Sequence, residues 1–120
     1  RVKELLDAGL NVSFGQDSIS DPWYPLGTGN MLWVLGFGLH VCQYMGYDEI
    51  SRSLDLITEN GAKTMHLTDR YGISEGKPAD FLIIDAKDDF EAVQYLKDVL
   101  YSVKSGKVIM KREPAVVTLY

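Results

Sequence analysis

Asp17 and two aromatics share a loop of this 120-residue chain, and they are the residues best placed to do chemistry. Asp17 stands just past the apolar run Leu10, Val12 and Phe14, at the C-terminal end of a predicted strand. Parallel α/β barrels place their catalytic groups at such ends. An aspartate there could equally cap a turn through its own side chain. Trp23 and Tyr24, held between Pro22 and Pro25, could stack on a planar ligand or plug the loop onto the rim of the fold.

Other candidates are weaker. His40 and His66 each lack a second His or carboxylate at ligand spacing, so they read as core or surface histidines. Cys42 lies two positions from His40, about 200° around a helix, which argues against a Cys/His dyad and for a buried, inert thiol. Gly36-Phe37-Gly38 falls inside a helical pattern and follows no strand, unlike a phosphate loop. Asp85, Asp88, Asp89 and Glu91 read as a solvated turn and helix start, where negative charge is favourable, rather than a metal site.

The positioning elements follow from periodicity. Val2, Leu5 and Leu6 mark a helix over residues 1–8, closed by Gly9, and the alternation over 10–14 marks a strand. Residues 15–30 are too rich in Gly, Pro, Ser and Asp for regular structure, and loops of this length commonly carry function. Residues 30–47 are apolar nearly all round, as a buried helix would be, with Gly36 and Gly38 permitting close packing. Asp48 is the expected N-cap of a helix through Glu59, interrupted at Asn60-Gly61 before a further turn over 62–67. A loop then leads into a buried strand over 81–85, a short helix over 90–97, and two strands joined at Ser105-Gly106. Residues 1–70 thus read as a closing βα unit of an α/β fold and residues 71–120 as strands of a smaller sheet.

Composition narrows the function classes. The chain is 46% hydrophobic, enough for one modest core. A formal charge of −5, with twelve scattered Lys and Arg, argues against nucleic acid as a partner. No apolar run approaches the roughly 20 residues of a membrane span, so no membrane is expected either. A single cysteine excludes an internal disulfide framework and fits a cytoplasmic location. Arg1 already falls inside a helical pattern, so a piece of a longer protein is expected.

Residues 14–32, FGQDSISDPWYPLGTGNML, resemble the end of the barrel in bacterial cytosine deaminases, where Phe-Gly-His-Asp leads into Asp-Pro-Trp-Tyr-Pro-Leu-Gly. GLHVCQYMGY, LITENGAKTMHL, YGISEGKPADFLIID and YSVKSGKVI are similar to the helices and returning strands that follow in that family. The glycine-punctuated Ala-Asp pattern at 72–82 is shared by the wider amidohydrolase superfamily, whereas the Asp-Pro-Trp-Tyr-Pro loop narrows the resemblance to the cytosine deaminase branch.

The resemblance implies an α/β fold: the last strand and helices of a (β/α)8 barrel over 1–70, plus strands of the flanking β-sandwich over 71–120. It implies one divalent metal ion, iron or zinc, with Asp17 as both ligand and catalytic base, and Ser18 and Trp23 against a pyrimidine base. The remaining ligands and a catalytic Glu have no counterpart here, so the chain by itself is expected to be inactive and to bind no metal tightly. A complete barrel takes about 250 residues. The remainder of the barrel, and a homo-oligomer, are the implied partners. Two positions depart from the family pattern: Gln16 replaces a His and Ser18 an Asp. Serine at 18 would leave room for a 5-methyl group, pointing to 5-methylcytosine. The competing readings are an amidohydrolase of another cyclic amide or amino-heterocycle, and a non-catalytic module whose strands pair with a partner chain.

Overall fold

The computed structural model describes residues 1–118. Its first helix, α1 (Val2–Asp7), ends as the sequence dictates. Gly9 takes φ +79, its N–H bonds the Leu6 carbonyl at 2.9 Å, and Leu10 N–H bonds the Leu5 carbonyl at 3.0 Å.

The alternating segment 10–14 is irregular rather than a strand. A strand exists by hydrogen bonding to neighbouring strands, and this segment has none among the described residues. Its polar groups turn to helices instead. Phe14 N–H donates to the Leu56 carbonyl at 2.8 Å, and the Asn60 side-chain amide donates to the Val12 carbonyl at 2.9 Å. Asn11 returns the exchange, donating to the Asn60 carbonyl at 3.0 Å and to Thr64 Oγ1 at 2.9 Å. The alternation sorts surroundings only in part: Val12 and Phe14 meet the core and Asn11 and Ser13 meet the last helical turn before the sheet, but Leu10, expected on the apolar face, is 55% exposed.

The apolar stretch 30–47 is not one helix. Helix α2 (Met31–Cys42) starts at Asn30, whose side chain accepts from Leu32 N–H at 3.0 Å. It stops at Gln43, which takes the left-handed conformation (φ 54) so that Tyr44 can drop into the core. Only Leu32, Leu35 and Leu39 of α2 are buried; Trp33, Phe37 and Val41, spaced four apart, form an exposed stripe with the Trp33 and Phe37 rings stacked at 5.6 Å.

Next comes α3 (Tyr47–Ser51), capped at Gly46 and not at Asp48. Glu49 reaches back to the Gly46 N–H at 2.8 Å and pairs with Lys3 at 2.9 Å, and Asp48 sits in the first turn. Instead of a continuous helix through Glu59, a 3-10 turn (Ser53–Ile57) follows. Asn60-Gly61 lies inside α4 (Glu59–Thr64), because the Asn60 side chain is engaged with Val12 rather than breaking the helix. Met65 closes α4, and His66 follows it in the left-handed region (φ 55), exposed.

Strand β1 (Phe81–Ile84), helix α5 (Asp89–Gln94), β2 (Val99–Lys104) and β3 (Lys107–Lys111) form an antiparallel β1-β2-β3 meander with α5 returning to the helices. Asp88 caps α5, accepting from Glu91 N–H at 2.8 Å, as expected of this acidic cluster. At the hairpin tip Ser105 and Gly106 both take positive φ, 50 and 74, the geometry whose twist matches the flanking strands.

One core joins the elements. Val2, Leu35, Leu39, Tyr44, Leu56 and Val93 form the buried cluster, with Val12, Phe14 and a half-buried Cys42 against it. The α2 glycines serve close packing, as the sequence suggested. A Cβ on Gly38 would lie 2.5 Å from the Phe14 ring, and one on Gly36 would lie 3.0 Å from Leu96. Among the described residues no helix is long and apolar enough to cross a membrane.

Asp80 fastens the hairpin to the loop before β1. Its carboxylate pairs with Lys104 and accepts from Ser105 N–H at 2.6 Å, while Gly106 N–H bonds the Ala79 carbonyl at 3.0 Å. Lys104, then the Ser105 N–H, hold this carboxyl below its ordinary value of 3.8 against the opposing effect of desolvation. Its folded value thus lies below its unfolded one, so the stabilisation is fully present above about pH 4 and fades as pH falls through the depressed folded value. The thermal midpoint of Asp80→Asn should therefore trail wild type at neutral pH and converge with it in acid. A gap independent of pH would mean that the carboxylate's charge is not what holds the hairpin.

A candidate active-site loop

The loop 15–30 is held at both ends, by the Phe14 N–H bond to Leu56 and by the Asn30 cap of α2. Between them it is cross-tied by its own polar side chains. Gln16 Oε1 accepts from Gly29 N–H at 3.2 Å, and Ser20 Oγ donates to the Gly27 carbonyl at 2.8 Å. The Asp21 carboxylate accepts from Trp23 N–H at 3.0 Å and Tyr24 N–H at 2.9 Å, the side-chain turn that an Asp-Pro sequence favours.

Asp17 is exposed and makes no hydrogen bond or ion pair among the described residues. The turn-capping alternative is thereby answered within the chain: capping falls to Asp21, not Asp17. Ser18, half-buried, follows directly. Its hydroxyl helps to hold Asp21 below the ordinary carboxylate range, an effect led by Tyr24 N–H, opposed by desolvation, and completed by Trp23 N–H. The structure thus brings Ser18 and Asp21 together. Trp23 it leaves apart, 89% exposed, so within this chain its ring does not plug the loop onto the rim.

Sequence reasoning passed over two residues of this loop. Asp21 carried a local signal, an Asx residue before proline. Gly27 carried none, since its role is a contact across nine residues: it is buried beneath Ser18, and a Cβ there would lie 2.2 Å from the Ser18 carbonyl oxygen.

A free carboxylate can serve as a cation ligand or as a base. A single one does not make a metal centre, and no three His, Cys, Asp or Glu side chains gather to hold an ion among the described residues. Asp17 fits the part of one ligand in a shared set. His40 is exposed, its ring Nδ1–H donates to the Gly36 carbonyl at 2.7 Å, and among the described residues it gathers with no group of His, Cys, Asp or Glu able to hold an ion.

A cleft of about 690 Å3 lies elsewhere, between the sheet and the helices, with Leu32, Leu54, Ile57, Phe81 and Val103 in its walls. Asp80 is the one acid on its lining and is already paired with Lys104. The cleft walls are mostly apolar and carry no free carboxylate, histidine or thiol, so the loop with its free Asp17 is the better candidate.

Comparison with known proteins gives these features a context. An amidohydrolase family model matches residues 1–110. The structure of 5-methylcytosine deaminase from Klebsiella pneumoniae liganded with 5-fluorocytosine superposes with a TM-score of 0.93 and 52% identity, over 99% of this chain and 29% of that one. The N-isopropylammelide isopropylaminohydrolase of Burkholderia multivorans superposes with a TM-score of 0.83 and 28% identity, over 92% of this chain and 28% of that one. The N-isopropylammelide isopropyl amidohydrolase of Pseudomonas sp. (strain ADP) is 29% identical over 93% of this chain and 28% of its own length. The chain therefore spans less than a third of the relatives it matches.

Proposed function

Because the chain belongs to the amidohydrolase family, we propose that it is the C-terminal part of a metal-dependent hydrolase that deaminates cytosine or a 5-substituted cytosine such as 5-methylcytosine, releasing ammonia. The observation that carries this reading is Asp17, an uncommitted carboxylate on a braced loop, followed at once by a serine. Identity of 52% to a 5-methylcytosine deaminase, against 28% to a structure acting on another heterocycle, favours the pyrimidine over the second amidohydrolase reading.

In this proposal residues 1–70 complete the barrel and residues 71–120 contribute to the flanking sandwich. The rest of the barrel is the partner, within a homo-oligomer. Asp17 would hold one divalent ion, iron or zinc, together with ligands from outside this chain. When bound, that ion supplies a water that ionises near neutral pH instead of near 16. Asp17 Oδ takes the proton from the water as it attacks C4 and passes it to the departing amine. Trp23, standing free on the loop, packs against the flat ring and orients it.

Ser18 faces the 5-position of the pyrimidine. A methyl buried there gains only about 0.8 kcal/mol, but burying it against an ionised carboxylate strips water from the charge at a greater cost. The complete protein should therefore turn over 5-methylcytosine at least as well as cytosine, and Ser18→Asp should reverse the preference by about tenfold or more. kcat/KM for both bases in both proteins is the measurement. A wild type strongly preferring cytosine, or an unchanged ratio in Ser18→Asp, removes the assignment of Ser18.

A further inference from the structure

We infer that Gly27 is a specificity-determining position, because its missing side chain is the space that sets the Ser18 backbone. The inference rests on the deaminase reading above. An ideal Cβ on residue 27 would fall 2.2 Å from the Ser18 carbonyl oxygen, 2.7 Å from Gln16 Nε2 and 3.1 Å from Ile19 Cα. The first distance is short of ordinary contact by about 1 Å. The Gln16 amide ends a flexible side chain and could swing aside, although it would strain its bond to Gly29 N–H. The Ser18 carbonyl and Ile19 Cα are main chain and cannot.

Two further observations direct the effect. Gly27 is buried and its φ lies outside the left-handed region, unlike Gly29 at +73, so glycine is required at 27 for space and not for backbone freedom. Ser20 Oγ holds the Gly27 carbonyl at 2.8 Å and Tyr24 O accepts the Gly27 N–H at 3.3 Å, which keeps residue 27 from retreating. A methyl on residue 27 must therefore push the Ser18–Ile19 main chain away from residue 27, shifting the residue that directly follows Asp17 and with it the room left for a 5-methyl group.

The test is kcat/KM for cytosine and 5-methylcytosine in the complete protein, wild type against Gly27→Ala, with thermal midpoints to establish folding. A displacement of about 1 Å beside Asp17 should lower both values by about 100-fold, and the 5-methylcytosine to cytosine ratio should change by a further tenfold or so. A folded Gly27→Ala with an unchanged ratio, in a protein whose wild type is active, overturns the inference and leaves the deaminase reading standing. A wild type inactive on both bases overturns that reading, and the inference with it. Should Gly27→Ala not fold, Gly27→Ala combined with Ser20→Ala decides. Loss of the Ser20 bond gives residue 27 some room to retreat, so this protein should fold with the ratio still changed by about threefold, whereas a wild-type ratio there would overturn the inference.

Discussion

Asp17→Asn in the complete protein should lower kcat for cytosine deamination by about 1,000-fold or more while leaving the fold intact. The substitution keeps the shape of the side chain and removes both its charge and its basicity. As a general base alone the carboxylate is worth about 100-fold to 10,000-fold. Loss of a charged ligand weakens hold on the ion as well, so the two effects compound. Stability should barely move, because Asp17 is exposed and holds no partner among the described residues. The measurements are ammonia release, metal content after purification and the thermal midpoint. A variant within about threefold of wild-type kcat would mean that the proton is carried elsewhere. A variant that loses its fold would mean that Asp17 is structural.

The largest stability effect is expected at Leu35, in the middle of α2. Its side chain is 0% exposed and belongs to the cluster that joins α2 to the 3-10 turn and α5 through Leu56 and Val93. Leu35→Ala leaves a cavity that three separately anchored elements cannot collapse into, and buried leucines truncated in this way cost about 2–5 kcal/mol. Urea unfolding of the chain, compared at constant m, reads the loss directly. A change below about 1 kcal/mol would show that this cluster is not the centre of the core. In the complete protein, activity of a folded Leu35→Ala should survive at low temperature, separating the core from the loop it supports.

How much of this was written in the sequence depended on the range over which each signal acts. Ser105-Gly106 named its own turn because hairpin chemistry lies within four residues. Helices were expected to begin near Asn30 and near Phe90, and α2 and α5 do begin there, with Asn30 and Asp88 as the caps that the apolar patterns alone had not named. Residues 10–14 had the alternation of a strand, and from Val12 onward their side chains sort accordingly, yet strand pairing is a property of neighbours that no local pattern can supply. The end of α2 was hidden for a different reason. Gln43 adopts a backbone conformation that usually announces itself as glycine, and the gain lies in burying Tyr44, a tertiary effect. Gly46 displaced Asp48 as cap because Glu49 could bond back to it and also reach Lys3, forty-six positions away. In the loop, Asp17 and Trp23 were visible through residue type and flanking prolines. Gly27 was not, since its meaning lies in the carbonyl it faces.

The interlock between Gly38 and the Phe14 ring bears on how this chain can diverge. With 2.5 Å between the ring and any Cβ at 38, a larger residue on the helix is tolerated only where position 14 has already become smaller. The reverse order, shrinking 14 first, opens a void that a later gain at 38 can fill. Substitution at the two sites is thus ordered in evolutionary time as well as correlated, and lineages that cross from one pairing to the other pass through a less stable, small-small ancestor. The segment leading to Asp17 is one half of that pair, so drift in a helix with no chemistry of its own is restrained by the approach to the aspartate.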